Sequence, residues 1–179
     1  MTRFAFVTAV LALCASSAFA ANELSNRRAP GFALPDLEFK THDLADYRGK
    51  VVVVTIMRTT CPHCTEFNKV LNEAEKKYGG QLKVIGIVNP PDNQQSVKRY
   101  LLANSLQTTL LFDCGQMAAS YLKVTPQNPT IEVPHFFVID QKGMIREDYG
   151  YNMLSKPVFE GTAIYKILDK YVSKPVQAD

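Results

Sequence analysis

The feature that most constrains this chain is a run of apolar and β-branched residues that leads into a pair of cysteines. Residues 51–57 read VVVVTIM, and Cys61-Pro62-His63-Cys64 follows after three further residues. A run this short and this apolar predicts a strand buried on both faces of a sheet. Apolar side chains then recur at helical spacing until Gly79-Gly80, which predicts a helix that begins at the cysteines. Both thiols are therefore expected where a buried strand passes into the first turn of a helix.

That position favours redox chemistry of the two thiols. The unpaired N–H groups and the positive end of the helix dipole stabilise a thiolate, which lowers the pKa of the first cysteine, Cys61. The competing interpretation of a Cys-x-x-Cys is half of a zinc site, which needs four N or S ligands. The other candidate ligands show no ligand-pair spacing: His42, His63, His135 and Cys114.

The N-terminus has the pattern of a secretory signal peptide over residues 1–20. Arg3 supplies a positive charge, Phe4–Leu13 is apolar, and Ala18-Phe19-Ala20 is a small-x-small cleavage motif before Ala21. The stretch is too short for a membrane span. We therefore predict an exported, periplasmic protein cleaved near Ala20-Ala21.

The remaining residues, 21–179, are expected to form one domain. An alternative is a lipoprotein anchored at Cys14, although Leu13 stands where a lipoprotein box has a small residue. Three cysteines then remain, so the chain has one vicinal pair and Cys114 rather than a disulfide scaffold. Cys114, close to Phe112, is expected to be a small buried apolar residue, and a third redox thiol is the alternative.

Strands and helices alternate along the domain and end in a hairpin, which predicts an α/β fold with a mixed central sheet. Residues 22–28 are polar and are expected to be a loose lead-in, and 30–39 a strand or hairpin at a sheet edge. Further strands are expected at 82–88, 108–112, 133–140 and 144–149, and further helices at 93–104, 115–122 and 164–172.

The order of four segments resembles the thioredoxin superfamily, and more closely its exported TlpA-type, redoxin-like thiol–disulfide oxidoreductases. The matching segments are Ala29–Pro35, Tyr47–Val54, Cys61–Cys64, and Val133-Pro134 with the following FFVID and Gly143. Each segment is a weak signal alone, whereas their order and spacing together are specific. The resemblance covers nearly all of residues 21–179 and implies a thioredoxin fold with an N-terminal strand or hairpin extension.

The resemblance also implies roles for single residues. Cys61 would be the exposed nucleophile and Cys64 the buried resolving thiol. Pro134 would be a cis-proline beside the disulfide, leaving the backbone of Val133 free to pair with a substrate strand. His63 between the thiols resembles the DsbA-type oxidases and would favour the thiolate.

Two positions depart from the family pattern. Thr60 stands where an aromatic residue commonly precedes the first cysteine. Thr55 stands where thioredoxins carry a buried acid that helps to deprotonate the resolving cysteine. Glu66, two residues beyond Cys64, is the nearby carboxylate that could take this role. As a first-turn glutamate it also suits a solvated position favoured by the helix dipole.

These residues predict a thiol–disulfide oxidoreductase whose direction, reductase or oxidase, stays open. It would need no bound cofactor, only thiol- or disulfide-containing client proteins and a membrane or periplasmic redox partner. A net charge of +3 with no basic run does not suggest nucleic acid as a partner.

Two other functions remain as alternatives. Cys61, Cys64 and His135 could hold Cu(I) as in copper chaperones of this fold, because soft thiolates and imidazole suit copper. His135 would otherwise tune Cys61 or contact clients. A thiol peroxidase is less favoured, because Arg58 stands three residues before Cys61, where that chemistry has Thr or Ser.

Overall fold

The computed structural model describes residues 24–172. The strands are β1 (Arg27–Arg28), β2 (Ala33–Pro35), β3 (Thr41–Asp43), β4 (Val51–Met57), β5 (Leu82–Val88), β6 (Thr109–Phe112), β7 (His135–Ile139) and β8 (Met144–Gly150). The helices are α1 (Pro62–Tyr78), α2 (Gln94–Asn104), α3 (Gln116–Leu122), α4 (Lys156–Phe159) and α5 (Ile164–Leu168). None of the helices in this range is long and apolar enough to cross a membrane.

A six-stranded mixed sheet with the order β1-β8-β7-β4-β5-β6 forms the centre of the fold. Strand β4 is parallel to β5 and antiparallel to β7, and all seven of its residues are buried. Its side chains alternate between two cores, as the period of a strand requires. Val51 and Val53 pack with α1, α4 and α5, whereas Val52 and Val54 pack with α3 and the N-terminal segment. The predicted α/β class and mixed sheet are confirmed.

Two expectations for the N-terminal segment need correction. The polar lead-in contains β1, which pairs with β8 and so forms the edge of the central sheet. The expected hairpin exists, but β2 and β3 form a separate two-stranded sheet. Arg27 anchors the lead-in, since its Nη2 donates to the Tyr121 carbonyl at 2.5 Å. A side-chain contact 94 residues away along the chain leaves no local pattern in the sequence.

The last helix is also shorter than its apolar stripe predicts. Ile164, Ile167 and Leu168 are buried as expected, but α5 ends at Leu168 and Val172 follows in a turn. Gly161, with φ of 91°, separates α4 from α5. The apolar side chains therefore reach the core from two short helices.

The topology brings three connections to one edge of the sheet. Because β4 and β5 are parallel, the loops that follow them lie side by side at their carboxyl ends. Strand β7 runs the other way, so the segment that precedes it reaches the same edge. The loop after β4 carries the cysteines, and the segment before β7 carries the cis Val133–Pro134 bond.

Candidate active site

Cys61 and Cys64 form a disulfide at the N-terminus of α1, with their Cα atoms 5.2 Å apart. Cys61 is the N-cap residue, and its Sγ accepts the backbone N–H of Cys64 at 3.2 Å. Pro62 suits the first helical turn because it has no N–H to leave unpaired. Cys61 is half-buried, whereas Cys64 is only 1% exposed. One sulfur is therefore open to a partner and the other is enclosed.

The turn before Cys61 is held by a carboxylate from the neighbouring loop. Asp92 accepts the backbone N–H of Thr59 at 2.9 Å and also the Thr59 hydroxyl. The Ser96 hydroxyl of α2 donates to the same carboxylate at 2.9 Å. The Cys61 N–H closes the turn by donating to the Arg58 carbonyl at 3.2 Å. Asp92 thus ties the cysteine loop to the start of α2.

A small polar network lies among the apolar side chains around Cys64. Asn68, one turn further along α1, donates to the Met57 sulfur at 2.7 Å and to the Tyr100 hydroxyl at 3.0 Å. Tyr100 also hydrogen-bonds Thr65, whose hydroxyl donates to the Cys61 carbonyl at 3.2 Å. Burial raises the pKa of the Tyr100 phenol, and these hydrogen bonds counter only part of that rise. The phenol therefore stays protonated.

Glu66 does not lie in this buried network. Its side chain is 68% exposed and pairs with Lys69 at 2.9 Å along the helix surface. Thr55, at the position of the thioredoxin acid, is 1% exposed. The solvated interpretation of Glu66 fits this geometry, because a first-turn glutamate on the outer helix face is stabilised by the dipole without facing Cys64.

His63 contacts the residue that directly follows β8. Its ring stacks on Tyr151 with the centroids 4.2 Å apart. The Tyr151 N–H donates to the Pro134 carbonyl at 3.1 Å, so this tyrosine connects His63 with the cis bond. A cavity of about 260 Å³ lies beside them, lined by His63, Glu66, Val70, Tyr151, Phe159 and Glu160.

Val133 and His135 have different surroundings, although only Pro134 separates them in the chain. Val133 packs against the buried apolar cluster that contains Cys64, and Cys61 packs against the same cluster. His135 begins β7, where its ring stacks on Phe137 at 4.8 Å and its Nε2 lies 3.2 Å from Asp148. Phe137 belongs to the core on the face opposite α1. His135 therefore has the local hydrogen-bonding environment of a buried histidine.

Cys114 is exposed, so the prediction that it is buried was wrong. The neighbouring Asp113 turns inward instead, and its carboxylate accepts the Met117 and Ala118 amides at 3.2 and 3.0 Å. These two bonds cap the N-terminus of α3. Because that cap fixes the turn, the next side chain faces outward. Cys114 lines a second cavity of about 270 Å³ together with Arg58, Ile131, Val133 and others.

The copper alternative finds no ligand set in the fold. Between residues 24 and 172, no three His, Cys, Asp or Glu side chains are grouped so that they could hold a metal ion. His135 is engaged with Asp148, and the two cysteines are bonded to each other. Cys14, the alternative lipid anchor, and the predicted cleavage site lie outside the described residues.

Three side chains of this site were missed by reasoning on the sequence: Asn68, Asp92 and Tyr151. Asn68 had a usable signal, because an amide four residues after a buried cysteine lies on the same helix face. Asp92 follows Pro90-Pro91 at the end of a predicted strand, which marks it as a loop residue near the same sheet edge. Tyr151 gave no local signal.

The sequence is similar to those of known bacterial proteins. The chain is 29% identical over 119 residues to the thiol-disulfide oxidoreductase ResA of Geobacillus thermodenitrificans, covering 66% of this chain and 65% of ResA. It is 23% identical over 132 residues to the thioredoxin-like protein YneN of Bacillus subtilis, covering 73% and 74%. This chain therefore matches somewhat less than two thirds of the length of ResA.

Among solved structures, a thiol:disulfide interchange protein of the thioredoxin family from Chlorobium tepidum superposes with a TM-score of 0.64. It is 20% identical and covers 82% of this chain and 97% of its own. At this identity the likeness shows the fold, which confirms the predicted thioredoxin fold. The AhpC/TSA family matches residues 25–148, from before β1 to within β8. On this match, together with the fold and the cysteine pair, the chain belongs to the AhpC/TSA family.

Proposed function

We propose that this protein is a thiol–disulfide oxidoreductase that exchanges disulfides with client proteins through Cys61 and Cys64. The observation that carries the proposal is the asymmetry of the pair, with Cys61 half-buried at the helix N-cap and Cys64 enclosed. A partner sulfur can approach Cys61 only. The names of ResA and of the Chlorobium tepidum protein support the same chemistry.

The exchange proceeds in two displacements. The Cys61 thiolate attacks a client disulfide, and one client sulfur leaves as a thiolate that takes up a proton. Cys64 then attacks Cys61 Sγ in the mixed disulfide, so the second client sulfur leaves and the Cys61–Cys64 bond forms. Two electrons and two protons pass to the client. In the opposite direction a client dithiol is oxidised and the pair is reduced.

Other groups around the two cysteines are assigned roles in this exchange. The Cys64 amide and the N-terminus of α1 favour the Cys61 thiolate. His63 stands at the mouth of the site and adds a positive charge when it is protonated. Val133 and Pro134 supply backbone beside Cys61 against which an extended client segment docks. His135 supports this segment from inside the sheet.

The proposed cellular location and redox partner follow from the same chemistry. We assign residues 1–20 to a cleaved leader and place the mature protein in the periplasm, where client disulfides persist. A membrane or periplasmic redox partner then restores the Cys61–Cys64 pair after each turnover. No prosthetic group takes part in the exchange, because sulfur atoms carry both electrons.

Trapping of the mixed disulfide tests the roles of the two cysteines. The protein with Cys14 and Cys114 replaced by Ser is reduced and mixed with insulin as the probe disulfide. Cys64→Ser should accumulate a covalent adduct, visible by mass spectrometry without reductant. Cys61→Ser is the matched control and should not. An adduct on Cys61→Ser alone, or on neither variant, would overturn the assignment.

The direction of exchange is read from the equilibrium of the same parent protein with a glutathione buffer. A reduction potential of about −270 mV, as for thioredoxin, would show that the protein reduces its clients. A reduction potential of about −120 mV, as for DsbA, would show that it oxidises them. The second result would also support the resemblance of Pro62-His63 to the DsbA-type oxidases. A pair that does not titrate with two electrons would contradict the redox function itself.

A further inference from the structure

The buried network beside Cys64 contains an acceptor that has no partner. Asn68 is 1% exposed, and within the described part of the chain its Oδ1 makes no hydrogen bond. A buried acceptor without a partner carries the full cost of its lost hydration. Such groups are rare, and they call for a physical reason.

The orientation of the Asn68 amide is set by its own donors. The Nδ2 group donates to Met57 Sδ at 2.7 Å and to the Tyr100 hydroxyl at 3.0 Å, which uses both of its hydrogens. Met57 ends β4 and Tyr100 lies on α2, so both contacts are fixed by packed elements. The carbonyl end of the amide is therefore directed to the other side, within the same enclosed region.

Cys64 is the donor that this region gains on reduction. It lies four residues before Asn68 on α1, and side chains at this spacing share one helix face. A helical side chain leans toward the N-terminus, so the Asn68 amide covers the turn that carries Cys64. Cys64 packs in one buried cluster with Met57 and Tyr100, the two partners of Asn68. In the disulfide Cys64 has no hydrogen to donate, whereas its thiol has one.

We propose that Asn68 Oδ1 accepts the S–H of reduced Cys64 and thereby favours the reduced state of the pair. The inference rests on the proposed function, and it deepens that function by naming a residue that sets its redox equilibrium. Two glutathione thiols reduce the disulfide. The S–S bond breaks, two electrons and two protons pass to the protein, and one glutathione disulfide forms. The S–H group formed on Cys64 then donates a hydrogen bond to Asn68 Oδ1.

The equilibrium with glutathione measures the effect directly. Asn68→Leu is compared with the parent protein in which Cys14 and Cys114 are Ser. Loss of the acceptor should lower the equilibrium constant for reduction, and the effect should be limited to about tenfold because S–H is a weak donor. A tenfold fall lowers the reduction potential of the pair by about 30 mV. Equal destabilisation of both redox forms cancels from this constant, so a purely structural role would leave it unchanged.

Asn72 provides the matched control one turn further along the same helix. It is also buried, but its Oδ1 already accepts the Gln107 N–H at 3.2 Å in the oxidised protein. Asn72→Leu should leave the glutathione equilibrium within about twofold of the parent. An Asn68→Leu constant equal to that of Asn72→Leu would overturn the proposal. Loss of two-electron exchange in the parent would instead contradict the proposed function.

A spectroscopic measurement keeps the proposal testable if Asn68→Leu does not fold. In the protein with Cys14, Cys61 and Cys114 replaced by Ser, Cys64 is the single thiol. Its S–H stretching band should lie below that of a free thiol in water-excluded surroundings, as a hydrogen bond to a carbonyl requires. A band at the position of an unbonded thiol would refute the contact.

Discussion

Replacing Asp92 by Asn should loosen the turn that presents Cys61. The Asp92 carboxylate accepts the Thr59 N–H, the Thr59 hydroxyl and the Ser96 hydroxyl. An asparagine of the same shape keeps one oxygen, and its NH₂ group then faces the Thr59 N–H. The substitution therefore removes one charge-assisted hydrogen bond and sets two donors against each other.

The expected magnitude follows from these contacts. A hydrogen bond to a charged group contributes about 1.5–3 kcal/mol to the free energy of unfolding. The bond from the Thr59 N–H to Asp92 is partly buried, so its loss should cost about 2 kcal/mol. For a domain of this size such a loss lowers the melting temperature by about 4–8 °C. Because Thr59 lies two residues before Cys61, the rate of thiol–disulfide exchange should change as well.

Urea unfolding of the oxidised protein measures the stability, and exchange with glutathione measures the rate. Asp46→Asn is the matched control, since Asp46 accepts one exposed and longer bond, from the Asp43 N–H at 3.3 Å. It should cost less than about 0.5 kcal/mol. If Asp92→Asn costs no more than this control, the carboxylate does not hold the turn.

Three further changes test other parts of the reasoning. His63→Ala removes the ring stacked on Tyr151 and should lower the equilibrium constant for reduction by glutathione about two- to fivefold, because the imidazole between the cysteines no longer favours the Cys61 thiolate. Burial opposes ionisation of Asp140, but amide and arginine hydrogen bonds outweigh it and hold its pKa below the ordinary value. The ionised Asp140 carboxylate therefore contributes to the free energy of unfolding above about pH 4, and this contribution is lost as pH falls through the lowered pKa. Asp140→Asn should destabilise the protein at about pH 7 and progressively less in acid. Gly86→Ala places a methyl group against Leu110 and should cost about 1–3 kcal/mol of unfolding free energy.

Each of these has a result that contradicts it. An unchanged redox equilibrium in His63→Ala would make this histidine a spacer. A destabilisation by Asp140→Asn that is constant from pH 7 to pH 3 would remove the carboxylate as its cause. A Gly86→Ala variant as stable as the parent in urea would mean that Leu110 moves aside without cost.

Local patterns in the sequence were sufficient for the central elements and the cysteine pair. The apolar run of β4, the helical spacing of α1 and the glycines after it depend on residues close together in the chain. Burial on both faces of a parallel strand leaves such a continuous run, so its position is readable. The resemblance added Pro134, whose bond to Val133 is cis in the structure.

Contacts between distant residues were decided by the tertiary structure alone. Asp92 meets Thr59 across 33 residues because β4 and β5 are parallel, and Tyr151 meets His63 because β8 returns the chain to the same edge. Cys114 faces outward because Asp113 takes the inward position to cap α3. Residue type and spacing determine which elements form, whereas the direction of a loop side chain depends on which neighbour satisfies the buried backbone donors.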